Sequence, residues 1–211
     1  MYCPSHFNEE RPEVLSQLMR TYPLATVVRS SADGLVADHI PLMYEEAQAD
    51  KPARLIGHVA KNNVLCQSGS GSEHLLIFQG PNTYVSPNWY PSKAIAGKVV
   101  PTWNYAVVHV HATLTTVEDP QAILPILSSL TQRHESSQPH PWQVGDAPQD
   151  YIDTMVSNVV GVVFQVRRIQ GKWKVSQNQP ADNRKGVVSA LGAHGTDVSS
   201  AMAALVQAAG H

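Results

Sequence analysis

With 211 residues, 43% of them apolar and only 15% charged, the chain has the composition of a folded globular protein that buries a full core without disulfides or structural metal. A formal net charge of -2 lacks the basic excess that signals phosphate binding over a whole surface, so DNA contact stays open but unsupported. The two cysteines, Cys3 and Cys66, have no paired spacing, the opening segment has no basic flank and apolar run, and no apolar stretch is long enough to span a bilayer. Together these features lead us to expect a cytoplasmic protein away from membranes, with free thiols.

In chain order, residues 9–21 place Val14, Leu15, Leu18 and Met19 at helical spacing, with Pro12 near the first turn and Pro23 beyond the end. Residues 24–29 and 35–43 are rich in β-formers and are joined by a turn at Asp33-Gly34, which predicts a hairpin. A strand is expected at 54–59 and a short helix from Lys61. The Ser-Gly stretch 68–72 reads as a flexible connection, since neither a Walker pattern nor a dinucleotide fingerprint surrounds its glycines.

Separate strands are expected at 75–78 and 83–86, before Pro87, Trp89-Tyr90 and Pro91 break the pattern, and a long strand at 107–117. Helices follow at 120–134 and 148–156, each with a proline able to open it. The runs 160–169 and 172–175 flank Gln170-Gly171 and predict a late hairpin. From Ala181 the chain is alanine-rich and helical in composition, interrupted at 192–195. Strands dominate the middle and helices both ends, without regular strand–helix alternation. The expectation is an α+β protein with a mainly β core, an antiparallel barrel decorated by peripheral helices.

Four segments concentrate polar and aromatic residues: 57–63, 84–93, 99–105 and 171–178. A flat heteroaromatic ligand bearing a phosphate needs such a mixture, because its ring takes aromatic walls while its dianion takes Lys, Ser, Thr and backbone N–H donors. Lys61, Lys93, Lys172 and Lys174 are the candidate cations. Asn62, Asn104, Gln177 and Asn178 carry donor and acceptor atoms for a ring edge, and Trp89, Tyr90, Trp103 and Tyr105 are candidate walls. The same residues would equally serve a core or an oligomer interface.

Other constellations are weaker. His109 and His111 share a strand face but lack companion carboxylates or cysteines, so they read as ordinary strand histidines and no metal is expected. Ser86, His58 and Asp38 form a hydrolase set only on paper, since no nucleophile elbow occurs. Arg167, Arg168, Lys172, Lys174, Arg184 and Lys185 are the one cationic concentration, suited to DNA phosphates, a cofactor phosphate or solvent.

The opening Met-Tyr-x-Pro-x-His-Phe, the runs Asp38-His39-Ile40-Pro41-Leu42, Gly57-His58-Val59-Ala60 and Phe78-Gln79-Gly80-Pro81, and the motifs Ser-Pro-x-Trp-Tyr-Pro-Ser-Lys, Val-Pro-Thr-Trp-Asn-Tyr and Gly-Lys-Trp-Lys-x-Ser-Gln-Asn resemble the PaiB family of FMN-binding negative transcriptional regulators. The resemblance covers roughly residues 1–190, leaving 191–211 as a helical tail outside it. It implies an FMN-binding split β-barrel, a homodimer with FMN in clefts at the subunit interface, and a site made of His58, Lys61, Asn62, the loop from Ser86 through Trp89 and Tyr90 to Lys93, and Thr102, Trp103, Asn104 and Tyr105. Lys172, Gln177 and Asn178 would complete or border it. In that setting Lys61 and Lys93 pair with the phosphate, Thr102 donates to it, and Trp89 or Trp103 borders the ring.

The resemblance implies a negative regulator or flavin-dependent sensor, yet no helix-turn-helix or basic recognition helix is legible. A flavin-dependent oxidoreductase of unknown substrate is the alternative. No catalytic residue is nominated, because flavin chemistry leaves the redox work to the cofactor.

Overall fold

A computed structural model describes residues 1–32, 34–67 and 71–209. The predicted turn residue Asp33 and positions 68–70 of the predicted Ser-Gly connection lie outside the described residues. Eight strands are described: β1 (Asn8–Glu9), β2 (Leu24–Ser31), β3 (Gly34–Pro41), β4 (Met43–Glu45), β5 (Arg54–Ala60), β6 (Glu73–Val85), β7 (Thr102–Val117) and β8 (Val159–Lys174). The helices are α1 (Pro12–Thr21), α2 (Ser92–Ala96), α3 (Pro120–Glu135), α4 (Gln149–Ser157), α5 (Ala181–His194) and α6 (Asp197–Ala208). The sheet runs in the order β3-β2-β6-β7-β8-β5-β4, with β1 added on β8. The pairs β1–β8, β2–β3, β2–β6, β4–β5 and β5–β8 are all antiparallel.

The chain divides into two compact units, one of residues 1–18, 79–109 and 170–211 and the other of 19–78 and 110–169. Strands β6, β7 and β8 are long enough to run through both. In the second unit the expected hairpin forms in register, with Thr26 opposite His39. Leu55, Leu76, Phe78 and Phe164 are completely buried there, and Ile123 of α3 packs with Ile152 and Val156 of α4 in a satellite core. In the first unit Ala106, Val108, Val85, Val187, Leu191 and Met202 are fully buried or nearly so.

Two expectations fail at glycines, for one reason. The strands expected at 75–78 and 83–86 are a single strand, β6, because Gly80 is a packing position: a Cβ there would lie 2.9 Å from Leu18 Cδ1 and 3.2 Å from the Ala106 carbonyl oxygen. The late hairpin at Gln170-Gly171 is likewise absent. β8 runs straight through, with Gly171 opposite Glu9, and a Cβ on Gly171 would meet Leu15 Cδ2 at 2.3 Å and the Glu9 carbonyl oxygen at 2.7 Å. Neither glycine has the positive φ that a tight hairpin turn demands.

The helical end is interrupted as expected. Gly195, with φ of 65°, closes α5, and the Thr196 hydroxyl accepts from the Ser199 N–H to open α6. No described helix is long and apolar enough to cross a membrane.

Candidate functional site

The motif 99–105 enters β7, where side chains alternate between faces, and this alternation divides its residues. Thr102 and Asn104 share one face. Trp103 and Tyr105 lie on the other, where Trp103 is about half exposed, donates from Nε1 to Asn82 Oδ1 at 3.2 Å and meets the Tyr84 ring edge-on at 6.3 Å.

The Thr102 face opens on a cavity of about 170 Å³ lined by Tyr90, Val100, Pro101, Thr102, Asn104, Lys174, Ser176, Asn178 and Gln179. All of these residues belong to the first unit. Lys174, at the end of β8, donates from Nζ to Thr102 Oγ1 and to the Trp103 carbonyl oxygen. Burial, with the neighbouring Lys172 charge adding to it, pulls the Lys174 ammonium below the ordinary lysine value.

Three features mark this cavity as more than a packing defect. Tyr90 and Asn104, 4% and 1% exposed, leave the Tyr90 hydroxyl and Asn104 Oδ1 buried with no hydrogen-bond partner. Such atoms are costly to bury unless a ligand or water completes them. Ser176, buried beside them, is the one described non-glycine residue with positive φ, at 63°. Its hydroxyl accepts from Asn104 Nδ2 at 2.9 Å, so a strained backbone position holds an otherwise half-satisfied amide.

The other residues nominated from sequence stand elsewhere. Ser86 caps the short 3-10 turn Pro87–Trp89 by accepting from the Asn88 N–H, and Trp89 meets His194 edge-on at 5.4 Å. Lys93 is exposed and donates to Asn88 Oδ1. Lys172 is buried, donates to the Tyr2 carbonyl oxygen at 3.0 Å and stacks over the Tyr2 and Tyr105 rings. Gln177 bonds back to the Val175 N–H and the Trp173 carbonyl, fixing its own turn.

His58 on β5 and the exposed Lys61 and Asn62 just after it belong to the other unit. Burial holds the His58 imidazole below its usual pKa, and its Nδ1 is buried without a partner. Of the nominated set, then, Tyr90, Thr102, Asn104 and Asn178 line the cavity together. Lys174 was legible only as a cation in a promising motif. Nothing in the sequence signals the backbone conformation of Ser176.

Larger hollows exist, one of about 530 Å³ beside α3 lined by Ser128, Gln132 and Trp142, and one of about 460 Å³ between α5 and α6 lined by Arg184, Val188 and Val206. Neither is lined by any of the described buried polar atoms that lack a partner. No described group of three or more His, Cys, Asp or Glu residues is arranged to hold a metal ion.

A family described as "Putative FMN-binding domain" matches residues 1–168. The chain belongs to this family. FMN is the cofactor of the FMN-binding domain family, and the cavity's donors and acceptors suit one end of it. An ammonium and the three hydroxyls of Tyr90, Thr102 and Ser176 can donate to a phosphate, and Asn104 Oδ1 can accept from a ribityl hydroxyl.

Among relatives, an uncharacterised protein of Aspergillus fumigatus is 31% identical, with 100% of this chain and 98% of that protein covered. Protease synthase and sporulation protein PAI 2 of Bacillus subtilis is 26% identical over 90% of this chain and 89% of its own. The solved flavocytochrome Anf3 from Azotobacter vinelandii matches with a TM-score of 0.60 at 10% identity, covering 80% of this chain and 69% of that one. The FAD and heme binding protein from Mycobacterium smegmatis gives 0.55 at 14% identity, covering 79% and 72%. The fold is thus α+β, an antiparallel split-barrel sheet of the flavin-binding kind with peripheral helices.

Proposed function

We propose that the chain is an FMN-binding negative regulator, a flavin-dependent sensor in which the phosphate end of FMN enters the cavity at Thr102, Asn104, Lys174 and Ser176. The observation that carries this reading is the pairing of a partly desolvated ammonium with two buried polar atoms that have no partner. When bound, FMN supplies electron-transfer chemistry, and the residues described here bind and orient it. Lys174 and Thr102 would hold the phosphate oxygens, the Tyr90 hydroxyl would donate to one of them, and Asn104 would accept from the ribityl chain.

A volume of about 170 Å³ falls below the roughly 300–1,000 Å³ of pockets that enclose a whole drug-sized ligand. The flavin ring then needs a further wall. A second copy of the chain supplies it in our reading, which accords with the exposure of Tyr84, Ile95, Val100 and Trp103 in the same unit.

The test begins with the visible spectrum of the purified protein and a titration with FMN, followed by two assays of the loaded form. Salt-sensitive promoter binding without NAD(P)H consumption supports the regulator. Steady NAD(P)H consumption with an added acceptor, and no DNA binding, would make the chain an oxidoreductase instead.

A further inference from the structure

Helix α5 starts at Ala181, beyond the segment spanned by the family match, yet it grips the loop that brings Tyr90 to the cavity. Asn183, 3% exposed, makes two of its three amide hydrogen bonds to this loop. Its Oδ1 accepts from the Ser92 N–H at 3.2 Å, while Nδ2 donates to Ser92 Oγ at 2.9 Å and to Gln179 Oε1 at 3.1 Å. Ser92 lies two residues past Tyr90, and Gln179 lines the cavity itself.

Three residues on, Gly186 packs directly against the same loop. A Cβ at this position would lie 2.0 Å from the Trp89 carbonyl oxygen and 3.2 Å from Pro91 Cδ, so nothing larger than glycine fits without separating helix and loop. Farther along, His194 meets the Trp89 ring. Positions 183, 186 and 194 fall on one face of the helix. Glycine is a poor helix former, and its presence inside α5 is explained by this close approach.

We propose that Asn183 and Gly186 are positioning residues for the cofactor: through Ser92 and the Trp89 carbonyl they fix Tyr90 relative to Lys174 and Ser176, and so set the width of the phosphate subsite. The inference rests on reading the cavity as that subsite. Neither residue touches the ligand. Both act through the loop.

The experiment compares FMN and riboflavin affinities, by quenching of flavin fluorescence, for wild type, Asn183→Ala, Asn183→Asp, Gly186→Ala and Ser92→Ala, with thermal unfolding of each flavin-free protein alongside. Asn183→Ala and Gly186→Ala should weaken FMN roughly tenfold and riboflavin far less, as expected for the loss of about one well-placed polar contact to the phosphate. Asn183→Asp, which keeps an acceptor for the Ser92 N–H but loses both Nδ2 donations, should recover only part of the affinity. Combining Asn183→Ala with Ser92→Ala should cost no more than Asn183→Ala alone, because the one contact that Ser92→Ala removes is among the three already lost with Asn183.

A purely structural helix predicts a different result: altered melting temperatures with unchanged FMN-to-riboflavin ratios. For Gly186→Ala it predicts a lower melting temperature, because the added Cβ presses on the Trp89 carbonyl oxygen, with the FMN-to-riboflavin ratio unchanged. An unchanged ratio in both variants would overturn the inference while leaving the cavity assignment intact. Failure of the wild type to take up FMN would overturn the assignment itself, before any variant is compared.

Discussion

The two units are built on the same three long strands but differ in how many polar residues they bury. Glu9, Ser16, Asn104, Lys172, Ser176, Asn183 and Ser199 are buried in the unit that holds the cavity, whereas His74 is the one described buried polar residue of the other. His74 behaves as a core residue. Its Nδ1 lies 3.0 Å from the Ser72 carbonyl oxygen, its ring meets Phe164 edge-on, and burial lowers its pKa. Buried polar atoms without a partner occur in both units, at Arg29, Asp38, His58 and His74 in this one and at Tyr90, Asn104 and Gln170 in the other. In the reading proposed above, the cavity unit gives up some stability to keep an ammonium, an amide and a phenol for a ligand.

If this division of labour is right, the largest effects on stability should come from the apolar unit and leave binding untouched. Phe164→Ala should cost about 3–5 kcal/mol in urea unfolding, the usual range for a buried phenylalanine. FMN affinity of the folded fraction should stay at the wild-type value. A matching loss of affinity would mean that the units are not separable in function.

Ser176 sharpens the comparison from the other side. Ser176→Ala leaves Asn104 Nδ2 without its acceptor and should destabilise by about 1–3 kcal/mol. Ser176→Gly loses the same hydrogen bond but relieves a left-handed backbone that costs an ordinary residue roughly 1 kcal/mol or more. The glycine variant should therefore be the more stable of the two by calorimetry. The reverse order would remove the argument for strain at this position.

The pH response should be smaller and should belong to the apolar unit. His58 and His74 have folded pKa values depressed by burial, so the unfolded chain takes up protons first as pH falls. Their contribution is fully present above the ordinary histidine value of about 6.5 and is lost as pH drops below it toward the folded values. Urea midpoints should decline between pH 7.5 and 5.5, and His74→Gln should flatten that decline. The smallest change is expected at Lys93, which is exposed and occupied with Asn88. Lys93→Ala should alter FMN affinity by less than about twofold, and a tenfold loss would relocate the phosphate.

Much of this organisation was legible in the sequence, and the failures are instructive. Helical spacing with proline at the borders located α1, α3 and α4 within a few residues, and Gly195 was legible as a break. Gly80 and Gly171 misled because a glycine chosen for close packing and one chosen for turning look identical in a sequence. The motifs containing Tyr90, Thr102, Asn104 and Asn178 pointed to the cavity, but strand alternation turned Trp103 and Tyr105 away from it. Lys174 and Ser176 became prominent only through burial and backbone conformation, which no residue spacing encodes.

The most direct test of the central claim is a comparison of FMN with riboflavin in wild type and Lys174→Met, since the two ligands differ only in the phosphate assigned to this cavity. The account predicts that wild type prefers FMN and that Lys174→Met reduces the preference by roughly tenfold to a hundredfold, the worth of one charge-assisted contact. Riboflavin affinity should barely change. An undiminished preference for FMN in Lys174→Met would contradict the account and place the phosphate elsewhere.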